Sequence, residues 1–166
     1  MQIRKSNLSD LETILGLRDV ARQIMRSNGN ASQWPDGVPQ ESMFVSDIQS
    51  RYGYIVEEDG VPVATFALIP SPDPTYAVVY DGPGWQCPDA QYGVIHRLAS
   101  NGRRPGVFAH ILAFARQNYS DIRIDTHSDN KIMHHLLAKN GFSSVGTILL
   151  DNGEPRLAFQ WRDANK

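Results

Sequence analysis

The chain has 166 residues, 41% hydrophobic and 20% charged, with a formal net charge of −2. That is the composition of one domain, residues 1–166, with a sizeable core; it excludes a disordered or membrane-embedded chain. No basic run could track a phosphate backbone, so no nucleic-acid partner is expected, and no apolar run is long enough for a bilayer, so no membrane partner is expected. The opening MQIRKSNLSD lacks the apolar stretch of a signal peptide, and the single cysteine, Cys87, rules out an intrachain disulfide; a soluble cytoplasmic protein is the expectation.

In chain order, Gln2–Lys5 reads as a short strand. Ser9 followed by Glu12 reads as a capping box, and Leu11, Ile14, Leu17, Ala21, Ile24 and Met25 recur at helical spacing up to Asn28-Gly29. The irregular segment SQWPDGVP precedes a short helix over Glu41–Gln49. Tyr52–Glu57 and Val61–Ile69 read as strands joined by a turn at Glu58-Asp59-Gly60, and Tyr76–Tyr80 as a further strand. After the loop DGPGWQCPD come a strand over Tyr92–Ser100, a loop over Asn101–Gly106, a helix over Val107–Gln117 and a strand over Ile122–Thr126. Ser128 or Asp129 caps a helix that carries Ile132, Met133, Leu136 and Leu137 on its apolar face and stops at Gly141. Phe142–Leu150 and Arg156–Trp161, joined at Asp151-Asn152-Gly153, form a closing hairpin. The order implies a mixed, twisted α/β sheet with a parallel strand pair flanking the Val107 helix.

The segment HRLASNGRRPGVFAHIL carries the clearest chemistry. A strand runs into a glycine-containing loop, and a helix follows at once. Unpaired N–H groups and the positive dipole end at a helix start make an anion site. Gly102 and Gly106 permit close backbone approach, Pro105 is tolerated near a helix start, and Arg103 and Arg104 add charge. A nucleoside-triphosphate loop would need Lys-Ser/Thr after its last glycine, where Val107-Phe108 stand here, and the three spaced glycines of a dinucleotide site are missing. An ordinary strand-to-helix loop with two surface arginines is the plain alternative.

With the segment that follows, this loop resembles the GNAT N-acetyltransferases. The family's pyrophosphate loop reads Gln/Arg-x-x-Gly-x-Gly/Ala; Arg103 and Gly106 match it, and Phe108 stands where the family has a small residue. DTHSDNKIMHHLLAKNGF is similar to the family's Asn-x-x-Ala-x-x-Leu-Tyr-x-Lys-x-Gly-Phe segment at Asn130, Leu136, Lys139, Gly141 and Phe142, with Met133 for the alanine and Leu137 for the tyrosine. The stretch QWPDGVPQESMFVSDI is similar to a bacterial subgroup of the family. The resemblance implies a GNAT acyl-CoA N-acyltransferase fold. It implies acetyl-CoA as co-substrate, no metal, and transfer of the acetyl group to a primary amine, of a small molecule or a peptide, by direct attack in a ternary complex. It also admits a homodimer.

On that resemblance the two parallel strands part, and pantetheine pairs with free backbone groups around Leu98, Ala99 and Ser100. Arg103, Arg104, Gly106 and Val107 surround the pyrophosphate, and Asn130 approaches the pantetheine end. The backbone N–H near Leu98 is the expected oxyanion donor. His96 is the expected base or water relay, since period two places it on one face with Leu98 and Ser100, and a free imidazole has a pKa of about 6.5. The usual acid is missing at Leu137; Tyr80, Tyr119, His127 and Ser100 are substitutes the sequence does not rank. Arg97 is expected to pair with Asp125. Trp34, Tyr80 and Trp85, together with Tyr54 and Tyr76, are the candidates for an acceptor pocket, with Glu41, Asp47 and Asp81 as nearby acids for a cationic amine.

The adjacent His134 and His135 diverge by about 100° on a helix, and His127 with His134 does not copy a zinc pair, so no metal site is expected. Cys87 has no thiolate-stabilising pattern around it, and no Gly-x-Ser-x-Gly elbow accompanies Asp125-Thr126-His127. Two rival readings remain: a non-catalytic acyl-CoA-binding or sensing domain, and a nucleotide-binding α/β domain.

Overall fold

The computed structural model describes residues 1–164. Its strands are β1 (Gln2–Lys5), β2 (Gly53–Glu58), β3 (Val61–Pro70), β4 (Gly93–Ser100), β5 (Asp121–Thr126), β6 (Ser143–Leu149) and β7 (Pro155–Arg162). Its helices are α1 (Leu11–Ser27), α2 (Glu41–Gln49), α3 (Val107–Asn118) and α4 (Lys131–Lys139). The strands form one mixed sheet in the order β1-β2-β3-β4-β5-β7-β6. All neighbours are antiparallel except β4 and β5. A parallel pair needs a crossover, and α3 supplies it.

The alternation of side chains along each strand divides the helices between the two faces. Ile55 and Val56 are consecutive on β2 and both fully buried. Ile55 packs with Ile14 of α1 and with Phe44 and Ile48 of α2. Val56 belongs to the main core with Ile111 and Leu112 of α3, Leu137 of α4, and Ile95, Ile122 and Ile124 of the central strands. Burying each such side chain contributes about 1.5–3 kcal/mol, so each helix is held chiefly by its sheet-facing stripe.

Three local expectations are corrected. The capping box at the start of the first helical segment uses Asn7 and Asp10, not Ser9 and Glu12. Asn7 Oδ1 accepts the Ser9 N–H, and the Asp10 carboxylate accepts the Asn7 N–H. The cap of α4 is Asn130 rather than Ser128 or Asp129; its Oδ1 accepts the Met133 N–H. Tyr76–Tyr80 is not a strand. Asp73 caps a 3-10 turn over Pro74–Tyr76 and Tyr76 is buried, while Val78 and Tyr80 are exposed.

The segment after that turn runs along β6, with Tyr80 N–H donating to Thr147 O and Gly84 N–H to Val145 O. Glycine is required where the two backbones meet. A Cβ on Gly146 would collide with the Asp81 carbonyl, and one on Gly82 would lie 2.8 Å from Val145 O. Among the described residues, no helix is long and apolar enough to cross a membrane.

Candidate active site between β4 and β5

β4 and β5 pair only at Gly93 with Ile122 and at Val94 with Arg123. Beyond Val94 the two strands part, so the edge of β4 that faces β5 has backbone groups with no ladder partner. A β-bulge contributes to the parting. Between Ala67–His96 and Thr65–Ala99, two residues of β4, Arg97 and Leu98, lie opposite one of β3. Arg97 takes a left-handed conformation there, with φ 50°. Such bulges bend and twist the strand that carries them.

The bulge overturns one expectation. His96 does not share a face with Leu98 and Ser100. Leu98 packs against the α3 side of the sheet, and Ser100 lines the same cleft. His96 lies on the other face beside Tyr76, and Ala99 packs there against Leu17, Ala21 and Trp34. Arg97 does not pair with Asp125. Its Nε and Nη2 donate to Asp47 of α2 at 2.6 and 2.7 Å, a two-point pair that fixes the bulge.

Two cavities open into the gap. The first, about 430 Å³, runs from the start of α3 to α1 and α4. Leu98, Ser100, Gly102, Arg104, Gly106 and Val107 line it. Gly106 stands at the head of α3 with φ 80°, and among the described residues no side chain caps that helix. Its first-turn N–H groups are therefore free for an anion. Arg104, half exposed, pairs with Glu58 at 2.9 Å. Arg103 lies in the same loop but does not line the cavity, and Ala99 points away from it. Phe108, in place of a small residue, is buried between the two cavities.

The second cavity, about 720 Å³, lies on the α1–α2 side. Trp34 lines it, as expected. Tyr80 and Trp85 do not: Tyr80 is on the surface, and Trp85 stacks on Tyr76 and donates to its carbonyl at 2.7 Å. The polar wall includes His96, Asp73, Thr75, Asp125, Thr126 and Gln33. His96 Nε2 is 2.7 Å from Asp73 Oδ2, and Nδ1 is 3.9 Å from Asp125 Oδ1. Asp73 also accepts from the Thr75 hydroxyl and N–H, and Tyr76 donates its phenol to Asp125 at 2.6 Å. Burial pushes the Asp73 carboxyl up, but the hydrogen bonds from His96 and Thr75 outweigh it and hold the group below the usual carboxylate range. Burial, then the Asp125 charge, raises the Tyr76 phenol well above its ordinary value, so it stays a donor.

Five residues line both cavities: Met25, Leu98, Phe108, Asn130 and Met133. The cavities thus adjoin at the gap in the sheet. Asn130 stands at their junction with its amide engaged internally, to Met133 N–H and to Gln33 Oε1. Leu137 is fully buried in the main core, so a phenol at that position would have to displace packed side chains. Of the substitutes for it, Ser100 alone lines either cavity; Tyr80, Tyr119 and His127 do not. The acids flagged from sequence are occupied or on the surface: Asp47 holds Arg97, Asp81 accepts the Thr147 N–H, and Glu41 is exposed. Asp73 was missed. Its Asp-x-Thr spacing signals a local turn, but nothing in the sequence ties it to His96. Among the described residues, no group of three His, Cys, Asp or Glu side chains could hold a metal ion.

No family profile matches the chain, and no curated protein matches it significantly. Solved structures do. A GNAT-family acetyltransferase from Streptococcus agalactiae is 30% identical, with a TM-score of 0.84 over 98% of this chain and 95% of that one. A GNAT-family acetyltransferase from Listeria monocytogenes is 15% identical, with a TM-score of 0.72 over 98% of this chain and 94% of that one. The NatC complex bound to Gag peptide and CoA is 14% identical, with a TM-score of 0.59 over 99% of this chain and 100% of that one. The last two share the fold alone. The first shares sequence along almost its whole length with a chain whose sheet opens above the start of α3, and on that ground this protein belongs to the GNAT family of acetyltransferases.

Proposed function

We propose that the protein transfers the acetyl group of acetyl-CoA to a primary amine, of a small molecule or a peptide, by direct attack within a ternary complex. The observation that carries this reading is the pair of adjoining cavities. A cavity headed by free helix amides meets a cavity walled by His96 and three carboxylates, in the gap where β4 and β5 part. The first cavity suits the diphosphate and amide arm of CoA, with Arg104, Gly106 and Val107 near the diphosphate and the open edge of β4 along the arm. The likeness in fold to a complex that holds CoA supports the choice of acyl donor.

The second cavity suits the amine. Its arginines are already taken, Arg97 by Asp47 and Arg156 by Glu154, which leaves Asp73, Asp125 and Asp151 in the wall. That surplus of carboxylate favours an acceptor that arrives as its ammonium ion. With Nε2–H given to Asp73, His96 has Nδ1 free to take the proton, directly or through water, so that the neutral amine attacks the thioester carbonyl. The backbone N–H groups at the bulge are the donors for the developing oxyanion. Collapse of the tetrahedral adduct expels the CoA thiolate, the amine nitrogen loses its second proton to solvent, and the thiolate takes a proton from solvent, directly or relayed by Ser100.

Release of free thiol from acetyl-CoA, measured against a panel of diamines, aminoglycosides and peptide N-termini, tests the reading. Amine-dependent release with an acetylated product supports it. CoA binding without release across the panel defeats it and leaves an acyl-CoA-binding domain without turnover.

A further inference from the structure

Gln33, in the loop between α1 and α2, lines the second cavity and gives one end of its carboxamide to the fold. Its Oε1 accepts Asn30 Nδ2 and Asn130 Nδ2 at 2.9 Å each, Thr126 Oγ1 at 3.2 Å and the His127 N–H at 3.4 Å. Two of these donors settle which end is oxygen. The His127 N–H can only donate, and Asn130 must offer nitrogen because its own oxygen takes the Met133 N–H at the cap of α4. Nε2 is therefore the other end. Among the described residues nothing accepts from it, yet it is not one of the buried polar atoms that lack a partner, so solvent reaches it. The opening is at the second cavity. Gln33 lines that cavity and not the first, and Thr126 and Asn130, against which the carboxamide is anchored, line it too. Four bonds hold this side chain by its oxygen and leave two N–H groups unused in the wall of the cavity.

We propose that Gln33 Nε2 donates to a neutral carbonyl oxygen of the acceptor. It thereby selects amines that carry an amide carbonyl, as a peptide N-terminus or an amino-acid amide does, over plain amines. The inference rests on the acetyl-transfer reading above and narrows its acceptor. Nε2 offers donors only, and a carbonyl meets them without a donor of its own. Asp73, Asp125 and Asp151 in the same wall repel a carboxylate, so the carbonyl is uncharged. β5 links the two subsites: Asp125 Oδ1 lies 3.9 Å from His96 Nδ1, and the next residue, Thr126, is bonded to Gln33. One acceptor meets both, its ammonium at His96 and the carboxylates, its carbonyl at Gln33.

The test is calorimetric titration of the CoA-loaded protein, which needs no turnover. The probes are glycinamide, β-alaninamide and phenylalaninamide, each against the matching amine without the carboxamide, at about pH 6, where all arrive as ammonium ions. Wild type is expected to bind at least one amide about tenfold more tightly than its matching amine, the range of a neutral hydrogen bond. Gln33→Glu keeps an oxygen for the four internal donors and turns the open end from donor to acceptor. That variant is expected to lose the preference, while its added charge acts alike on both ammonium ions of a pair. A structural role alone would weaken both members of each pair equally. Binding by none of the amides, equal affinity within every pair for wild type, or a preference that survives in Gln33→Glu overturns the proposal. If the glutamate variant does not fold, Gln33→Ala takes its place with the same outcomes. Thiol release from acetyl-CoA with plain amines leaves the acetyl-transfer reading standing when only the carbonyl preference is missing. Failure to bind CoA, or no release with any amine, removes that reading itself.

Discussion

Replacement of Arg97 by methionine should unfold the protein at a much lower temperature and disable the gap between β4 and β5 together. The guanidinium and Asp47 meet at 2.6 and 2.7 Å, with side chains only 13% and 9% exposed. With charge centres about 4 Å apart and an effective dielectric of about 20, their attraction is about 4 kcal/mol. Methionine removes it and leaves a buried, unpaired carboxylate, a cost of about 3–5 kcal/mol. At about 2–4 °C per kcal/mol for a chain of this size, the melting temperature should fall by about 10 °C. The assay is thermal unfolding followed by circular dichroism, on Arg97→Met, Asp47→Leu and the double variant. Two apolar residues at these places remove the stranded charge, so the double variant should regain most of the loss. Its acetyl-transfer rate should stay depressed, because the left-handed conformation at position 97 has lost its restraint. A fall of under about 2 °C for Arg97→Met, or a double variant no more stable than either single one, would refute the claim that this pair fixes the bulge.

His96→Ala should lower kcat by about a hundredfold or more, within the usual range for loss of a general base, with the KM for acetyl-CoA little changed. A wild-type kcat for the variant in thiol-release assays removes His96 from the proton path. Asp73→Asn reports on the depressed carboxyl. A lowered folded-state pKa gives stability that is present above the free-carboxylate value of about 3.9 and is lost as pH falls through the lower folded value. Urea denaturation should therefore show a wild-type advantage at neutral pH that shrinks in acid, and an advantage that grows on acidification contradicts this. Gly106→Val puts a β-branched residue at φ 80°, where a Cβ meets no atom within 4 Å. The damage is conformational strain of about 1–2 kcal/mol rather than crowding. The loop should relax away from the anion-binding form, and an unchanged Kd for CoA by calorimetry would count against that.

Most of the architecture was legible because each element announces itself locally. The helical spacing from Leu11 to Met25, the Asp-Asn-Gly turn of the closing hairpin and the strand-loop-helix around Gly106 depend on neighbours a few residues apart. What escaped depends on distance. Nothing near Arg97 marks a bulge, because the residue that stabilises it, Asp47, lies fifty positions earlier. That one bulge moved His96 to the other face from Leu98, which a period of two did not foresee. The run Tyr76–Tyr80 has the apolar character of a strand, yet its first residue is held in a turn by Asp73 and by the bond to Asp125. Asn130 was legible as a site residue by resemblance, but its amide is engaged as a helix cap and as a partner of Gln33, neither of which the spacing of apolar residues reports.

The segment laid along β6 bears on how copies of this protein can associate. An open sheet exposes two borders, and each is a template on which another chain can add a strand. Here Tyr80 and Gly84 already occupy main-chain acceptors along one border, and the Asp81 carboxylate takes the Thr147 N–H. The opposite border, β1, is only four residues long and carries Arg4 and Lys5. Neither side offers a long, flat, uncharged template, so self-assembly of this fold by continuing the sheet from one molecule into the next is disfavoured, and contacts between copies would have to be made by side chains on helices and loops.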